Sequence, residues 1–306
     1  MKTYSLSDLP LSFSTVATVG AFDGLHFGHI ALLEETRILA REHLATPVML
    51  TFSPHPREVL FPHIPFYYLT PLDEKIDILS HLNFPCVVIL PFTKSLAELT
   101  PDLFVERYLV DYLKIKGVVV GYNFRFGRGR MGDVELLQTL GKKYDFFVRV
   151  VDPVEVDGIK VSSSKIRELL FNGEVEKANK LLGRPYFLKG KVILGKRRGR
   201  HLGFPTANLD ISSKKLIPKE GVYAAWVCLD DKKYKGALNI GKNPTFQDKH
   251  LSIEVHILDF SGDLYNKTIK VELIKYIRGE QKFPSVEKLV EQIKRDCEIV
   301  KKILAE

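Results

Sequence analysis

Two histidines three positions apart, His26 and His29, stand in the string TVGAFDGLHFGHIALL that runs from Thr18 to Leu33, with Asp23 just ahead of them. An imidazole can donate hydrogen bonds to phosphate oxygens, and more strongly as negative charge builds in a transition state. The surroundings suit that use. Val16, Thr18 and Val19 are β-branched strand formers. Gly20 and Gly24 punctuate a turn where a bulkier residue would hold a ligand off the backbone. Ile30, Leu32 and Leu33 begin an apolar helical pattern that reaches Leu39. A strand that feeds a helix through glycines presents backbone N–H groups and the positive end of the helix dipole to a phosphate. Two plainer readings stand beside this one. The pair could be half of a metal site, for which no third ligand follows at helical spacing, or a polar residue at a helix cap.

A second constellation lies far downstream. Gly195, Gly199 and Gly203 lead into Pro205-Thr206-Ala207-Asn208. Glycines let backbone amides wrap a polyphosphate. The Thr206 hydroxyl and Asn208 amide oxygen are hard donors of the kind Mg²⁺ takes beside nucleotide oxygens. A basic, solvated hairpin is the alternative. In SIEVHILDF, the residues Ile253, Val255 and Ile257 alternate onto one strand face. Glu254 therefore points the other way with His256 and Leu258, where it could take the proton of a bound alcohol during phosphoryl transfer, or simply be a surface charge.

Three shorter stretches add to the first constellation. Thr51-Phe52-Ser53-Pro54-His55-Pro56 makes a proline-fixed turn after a strand. Gly121-Tyr122-Asn123-Phe124-Arg125-Phe126-Gly127, running on to Arg130 and Gly132, suits a loop laid against a planar base and its phosphates. Ser162-Ser163-Ser164-Lys165-Ile166-Arg167 puts hydroxyls at a helix start, to cap it or to bind phosphate.

The elements that must position these groups are legible in outline. Up to about residue 183, strands at Thr15–Val19, Val48–Phe52, Cys86–Leu90, Gly117–Gly121 and Phe146–Val151 alternate with helical segments at Gly28–His43, Leu72–Leu82, Pro101–Leu113 and Asp133–Tyr144. Alternation with near-continuous apolar strands predicts a doubly wound parallel sheet, with ligands at the carboxyl ends of its strands. Gly183 and Pro185 close a short helix, which places a domain boundary near Arg184. From there short strands dominate, at Phe187–Leu194, Val222–Leu229, Lys235–Ile240, Ser252–Asp259 and Thr268–Ile277, and predict a small antiparallel barrel. A final helix from Ser285 to Leu304 carries Val286, Leu289, Val290, Ile293, Cys297, Val300 and Ile303 on one stripe. The expected fold is thus α/β followed by β, divided into residues 1–183 and 184–306.

The chain has 306 residues, 45% hydrophobic and 27% charged, which is ordinary for a soluble globular protein with two cores. Cys86, Cys228 and Cys297 match no metal or redox spacing and point to a reducing compartment. No leader or membrane span is read, so a cytoplasmic location is expected. The net charge of +8 gathers at Lys189, Lys191, Lys196, Arg197, Arg198 and Arg200. An oligonucleotide-binding barrel could carry such a run, but few aromatic stacking platforms accompany it.

FDGLHFGH after a strand resembles the G-x-F-D-G-x-H-x-G-H signature of the nucleotidyltransferase superfamily. With the Pro54-His55-Pro56 turn, the Asn123–Gly127 loop and the serine triplet, it resembles the adenylyltransferase module of bacterial bifunctional riboflavin kinase/FAD synthetase over almost all of residues 1–183. Ser164 stands where that family usually has threonine, so a hydroxyl is kept and a methyl contact is lost. GRHLGFPTANL, GVYAAW, NIGKNPTF, IEVHILDF and IRGEQKF look like the riboflavin kinase barrel of the same family, over residues 184–306. The resemblance implies ATP, riboflavin and FMN as substrates and Mg²⁺ as the metal, with neither nucleic acid nor membrane as partner. Oligomeric state is left open by it. It implies that His26, His29 and Arg167 serve adenylyl transfer, and that Gly20, Phe22, Asp23, Gly24, Ser162, Ser163 and Ser164 hold ATP and its phosphates. Asn123, Arg125, Phe126 and Arg130 would meet flavin there. In the barrel it implies ATP at Gly195, Gly203 and Pro205, Mg²⁺ at Thr206 and Asn208, Glu254 as base, and flavin at Asn243, Thr245, Phe246 and Arg278.

Overall fold

A computed structural model describes residues 1–195, 202–230, 232–242 and 251–305. The chain forms two compact units, Met1–Ser163 and Ser164–Glu306.

The first unit is built on a six-stranded sheet of order β1-β4-β3-β2-β5-β6. Its strands are β1 Lys2–Tyr4, β2 Thr15–Val19, β3 Thr46–Phe52, β4 Cys86–Leu90, β5 Ile115–Gly121 and β6 Phe147–Val151, and all pairings are parallel. All of β2 is buried, as its apolar run requires of a central parallel strand. Alternation divides its side chains. Ala17 and Val19 join a core with Val48, Leu50, Val118 and Val120, while Val16 packs with Leu39 and Ala40 of helix α1, Phe27–Glu42. The chain steps outward from β2 to β3 and β4, then returns to lay β5 on the other side of β2. The strand order therefore reverses between β2 and β5, and the carboxyl ends at such a switch point form the crevice where ligands bind. The Phe22–His29 turn follows β2 and the Asn123–Gly132 loop follows β5, so both expected loops open onto that crevice. Strand β1, which lies at the edge beside β4, was not expected from its three residues.

The second unit holds a closed antiparallel barrel of order β10-β13-β12-β11-β14-β9. Its strands are β9 Tyr186–Ile193, β10 Thr206–Ile211, β11 Gly221–Leu229, β12 Lys232–Lys242, β13 Leu251–Ile257 and β14 Thr268–Arg278. A two-stranded hairpin, β7 Glu155–Val156 with β8 Ile159–Lys160, belongs to the first unit. The final helix, Val286–Ile303, is capped by the Ser285 side chain, which accepts from Lys288 N–H. Cys297, Val300 and Leu304 of this segment pack with Ala224 and Leu258, with Trp226, Ala237 and Ile274 alongside. Val286 is left exposed at its first turn.

The division between the units falls after Ser163, ahead of the expected Arg184. Hydrogen bonds explain this. Asn179, in the helix Val175–Leu182, donates its amide to the Leu273 carbonyl at 2.8 Å and accepts from Tyr186 N–H at 2.7 Å. Lys219 N–H donates to the carbonyl of Leu170, in the helix Ser163–Asn172. Both helices therefore cluster with the barrel.

Candidate active sites

The turn after β2 is strained and heavily braced. Phe22 and Leu25 take φ of 49° and 41°, and Gly24 takes 95°. Left-handed backbone at a residue other than glycine costs of order 1–3 kcal/mol. Hydrogen bonds from other segments hold it. The buried Asp23 carboxylate accepts from Leu69 N–H at 3.1 Å and Thr70 N–H at 3.0 Å. Gly24 N–H donates to Thr70 Oγ1 at 2.8 Å, and the Ser163 hydroxyl donates to the Asp23 carbonyl at 2.7 Å. Asp23 thus braces the turn through the Leu69 and Thr70 amides, with the Thr70 hydroxyl also donating to it at 3.4 Å.

His26 caps α1. Its Nδ1 accepts from His29 N–H at 3.3 Å, which leaves the ring proton to Nε2. The two imidazoles stack with centroids 3.6 Å apart. A Cβ at Gly28 would meet the His26 ring at 3.2 Å, so glycine there makes room for the imidazole. The Phe22 ring is buried and sits edge-on to His29 at 5.2 Å. It supports a histidine from within the core.

The loop after β5 carries its polar groups outward. Asn123, Arg125 and Arg130 are exposed, and Arg125 pairs with Asp133 at 3.1 Å. Phe126 is different. Its ring is buried, covers Gly132, and packs against Phe124 and Phe104 at 5.5 and 6.1 Å. Phe126 is thus a core contact that shapes the loop.

Beside this site the turn Ser53–Pro56 is held by Tyr68, whose hydroxyl accepts from His55 N–H at 2.9 Å and donates to Glu58. Burial first, then that hydrogen bond, raises the Tyr68 hydroxyl well above the usual tyrosine value. Leu60, Phe61, Ile64 and Tyr67 are exposed in the segment that runs down to Leu69 and Thr70. Sequence reading passed over these apolar side chains because no period marks them.

Ser162 and Ser163 end the first unit. Ser164, Lys165 and Arg167 open the second, where Lys165 pairs with Glu168 at 2.7 Å.

In the barrel the residues Thr206 and Asn208 lie on strand β10, where a glycine-led loop was expected. Register brings them to the carboxylate. Asn208 pairs directly with Glu254 across to β13, and Glu254 pairs with Asn239 of β12. The Thr206 hydroxyl donates to Glu254 Oε2 at 3.1 Å and the Ser252 hydroxyl to Oε1 at 2.7 Å. The alternation read from the sequence holds, with Ile253, Val255 and Ile257 buried and Glu254 half-buried on the other face. A Cβ at Gly195 would fall 2.1 Å from Asn208 Nδ2 and 2.7 Å from its Oδ1, so this glycine seats the amide. Gly203 adopts φ of 84° and stands open, next to exposed Pro205.

The set Thr206, Asn208 and Glu254 offers three oxygen functions within reach of one another, which fits a hard divalent cation such as Mg²⁺. Beside it lies a cavity of about 600 Å³, lined by Pro205, Thr206, Val192, Phe260, Asp263 and Tyr265 among others. The size suits a nucleotide base and ribose. Sequence reading missed the Phe260–Tyr265 part of this wall, which comes from a turn without periodicity.

Arg278 has a different setting from the one expected. Its Nε and Nη2 grip both oxygens of buried Asp296, at 3.0, 3.1 and 2.6 Å, and Nη1 donates to the Gly279 carbonyl at 3.0 Å. Gln292 also donates to Asp296, at 2.9 Å. The fork ties the last helix to β14. Asn243, Thr245 and Phe246, and the basic run Lys196–Arg200, lie outside the described residues.

Family models match both parts of the chain. The riboflavin kinase family model matches residues 182–304, and the FAD synthetase model matches residues 11–165. The bifunctional riboflavin kinase/FMN adenylyltransferase of Listeria monocytogenes is 39% identical over 92% of this chain and 90% of its own length. That of Escherichia coli is 37% identical over 96% and 93%. A crystal structure described as a macrolide-efflux protein from Streptococcus pneumoniae superposes with a TM-score of 0.90 at 34% identity, over 98% of each chain. Among the described residues of this chain, no helix is long and apolar enough to cross a membrane.

Proposed function

The chain belongs to the bifunctional riboflavin kinase/FMN adenylyltransferase family, and we propose that its two units convert riboflavin to FAD in succession, each consuming ATP. What carries this reading is that each unit holds its own built site, a phosphate turn on one and a carboxylate beside two metal-type donors on the other.

In the barrel, Glu254 accepts the proton of the riboflavin 5′-hydroxyl as that oxygen attacks the γ-phosphorus of ATP, and ADP leaves. Thr206 gives its hydroxyl proton to Glu254, which keeps its oxygen lone pairs for a cation. Asn208, seated by Gly195, presents its amide to the same place. Mg²⁺ bound with ATP would supply charge neutralisation on the phosphate oxygens. The 600 Å³ cavity next to Thr206 takes the nucleoside.

In the first unit, a phosphate oxygen of FMN attacks the α-phosphorus of a second ATP. A P–O bond forms to FMN as the bond to the β-phosphate breaks, and pyrophosphate leaves. The FMN phosphate is already a nucleophile at neutral pH, so the protein has to align and neutralise. His26 and His29 donate to the phosphates at the start of α1, and the backbone of Gly20 and Gly24 lets ATP come close. Ser162 and Ser163 add their hydroxyls to this phosphate set. Asn123, Arg125 and Arg130 present polar groups to the flavin, with exposed Leu60, Phe61, Ile64 and Tyr67 as an apolar wall. We place the reactions in the cytoplasm, where both soluble substrates are made available.

Purified protein incubated with riboflavin, ATP and Mg²⁺ should yield FMN and then FAD on chromatography. Formation of neither product overturns the reading.

A further inference from the structure

Lysine is among the side chains least often fully buried, yet Lys75 is only 3% exposed. It lies on the helix Leu72–His81, on the buried stripe with Leu79, where a methionine would fill the same space without desolvating a charge. Its ammonium reaches out of that helix to the turn. Nζ donates to the Ala21 carbonyl at 2.6 Å and to Thr51 Oγ1 at 3.4 Å, and Thr51 Oγ1 itself donates to Ala21 at 3.2 Å. Ala21 sits between Gly20 and strained Phe22, inside the phosphate turn. The charged group acting on Lys75 is Asp23, on the same turn; β3 offers it only the Thr51 hydroxyl.

We propose that Lys75 is a positioning residue for adenylyl transfer: its buried ammonium holds the glycine turn by the Ala21 carbonyl and adds positive charge beneath the ATP phosphates. This rests on the assignment of that turn to ATP. Burial lowers the Lys75 pKa to about 8, against the opposing pull of Asp23. The ammonium is therefore present near neutrality and lost in mild alkali. ATP and the Lys75 proton then bind cooperatively, each favouring the other.

The same titration acts on folding with the opposite sign. In the unfolded chain a lysine keeps its proton to about pH 10.4, so between pH 8 and that value the unfolded state binds more protons and stability rises with pH. Adenylyl transfer should weaken while the fold becomes more stable. A merely structural lysine would not separate the two trends.

The test uses the full-length protein and measures kcat and KM for ATP in FMN adenylylation between pH 7 and 9.5, with riboflavin phosphorylation as the internal control. We expect KM for ATP to rise about tenfold around pH 8 with kcat little changed, and no matching limb in the kinase reaction. Lys75→Met should show the high alkaline KM at every pH, and Lys75→Arg, which keeps its charge, should lose the limb with a low KM. A flat wild-type profile overturns the proposal without any variant, as does a limb that persists in Lys75→Met. Failure of the wild type to form FAD at pH 7 would instead sink the assignment of the turn, and the role of Lys75 with it.

Discussion

Thr206 Oγ1 lies 3.1 Å from Glu254 Oε2 across neighbouring strands, with the threonine as donor. One residue expected to touch the metal and the residue expected to take the proton are therefore in direct contact before any substrate arrives. Glu254→Gln keeps the shape and removes the base. Riboflavin phosphorylation should fall by about 10²–10⁴-fold, while conversion of supplied FMN to FAD stays at the wild-type rate. Separate assays started from riboflavin and from FMN check this; loss of both activities in a folded variant would contradict two independent sites.

Gly195 is the floor on which the Asn208 amide rests. An alanine methyl would meet that amide at between 2.1 and 2.7 Å, so Asn208 must move. A displacement of about 1 Å at a positioning group can cost about 10²-fold in rate. Gly195→Ala should lose on that order in kcat/KM for ATP in the kinase assay, with adenylylation untouched.

The stacked histidines separate structure from chemistry. His26 caps α1 through Nδ1, whereas His29 is the recipient of that cap. Removing a cap costs about 1 kcal/mol. Both His26→Ala and His29→Ala should slow FAD formation by about 10²–10³-fold, so FMN accumulates from riboflavin. Only His26→Ala should also lower the unfolding midpoint in urea beyond what its neighbour's substitution does.

Arg278 and Asp296 form a buried pair, with side chains 17% and 5% exposed. Removing one partner leaves a buried charge alone, at a cost of about 3–5 kcal/mol. Arg278→Ala should therefore destabilise the protein strongly in a denaturant titration. Replacing both partners together, as Arg278→Met with Asp296→Leu, should recover most of that loss.

Much of this organisation can be read along the chain. Five of the six strands in the first sheet read as short apolar runs, and the helix after FDGLHFGH and the alternation around Glu254 follow from spacings of 3.6 and 2.0. Strand β10 escaped because its T-A-N-L-D-I run is mostly half-buried and follows glycine and proline, which read as loop. The directions of the Phe22 and Phe126 rings were not legible, because side-chain direction in a turn has no period. Their rings fold into cores assembled from α1 and from Phe104.

Motif residues, most of their strand or helix settings (β10 excepted) and the two-part plan were thus determined by the sequence itself, since each depends on neighbours within one or two turns of chain. Tertiary structure alone decided what those residues hold. Apart from Ser252, the partners named above for Asp23, Ala21 and Glu254 come from segments 30 to 140 residues away. A buried polar group has to find its hydrogen bond wherever folding brings a donor or acceptor, and no local pattern encodes which distant segment that will be.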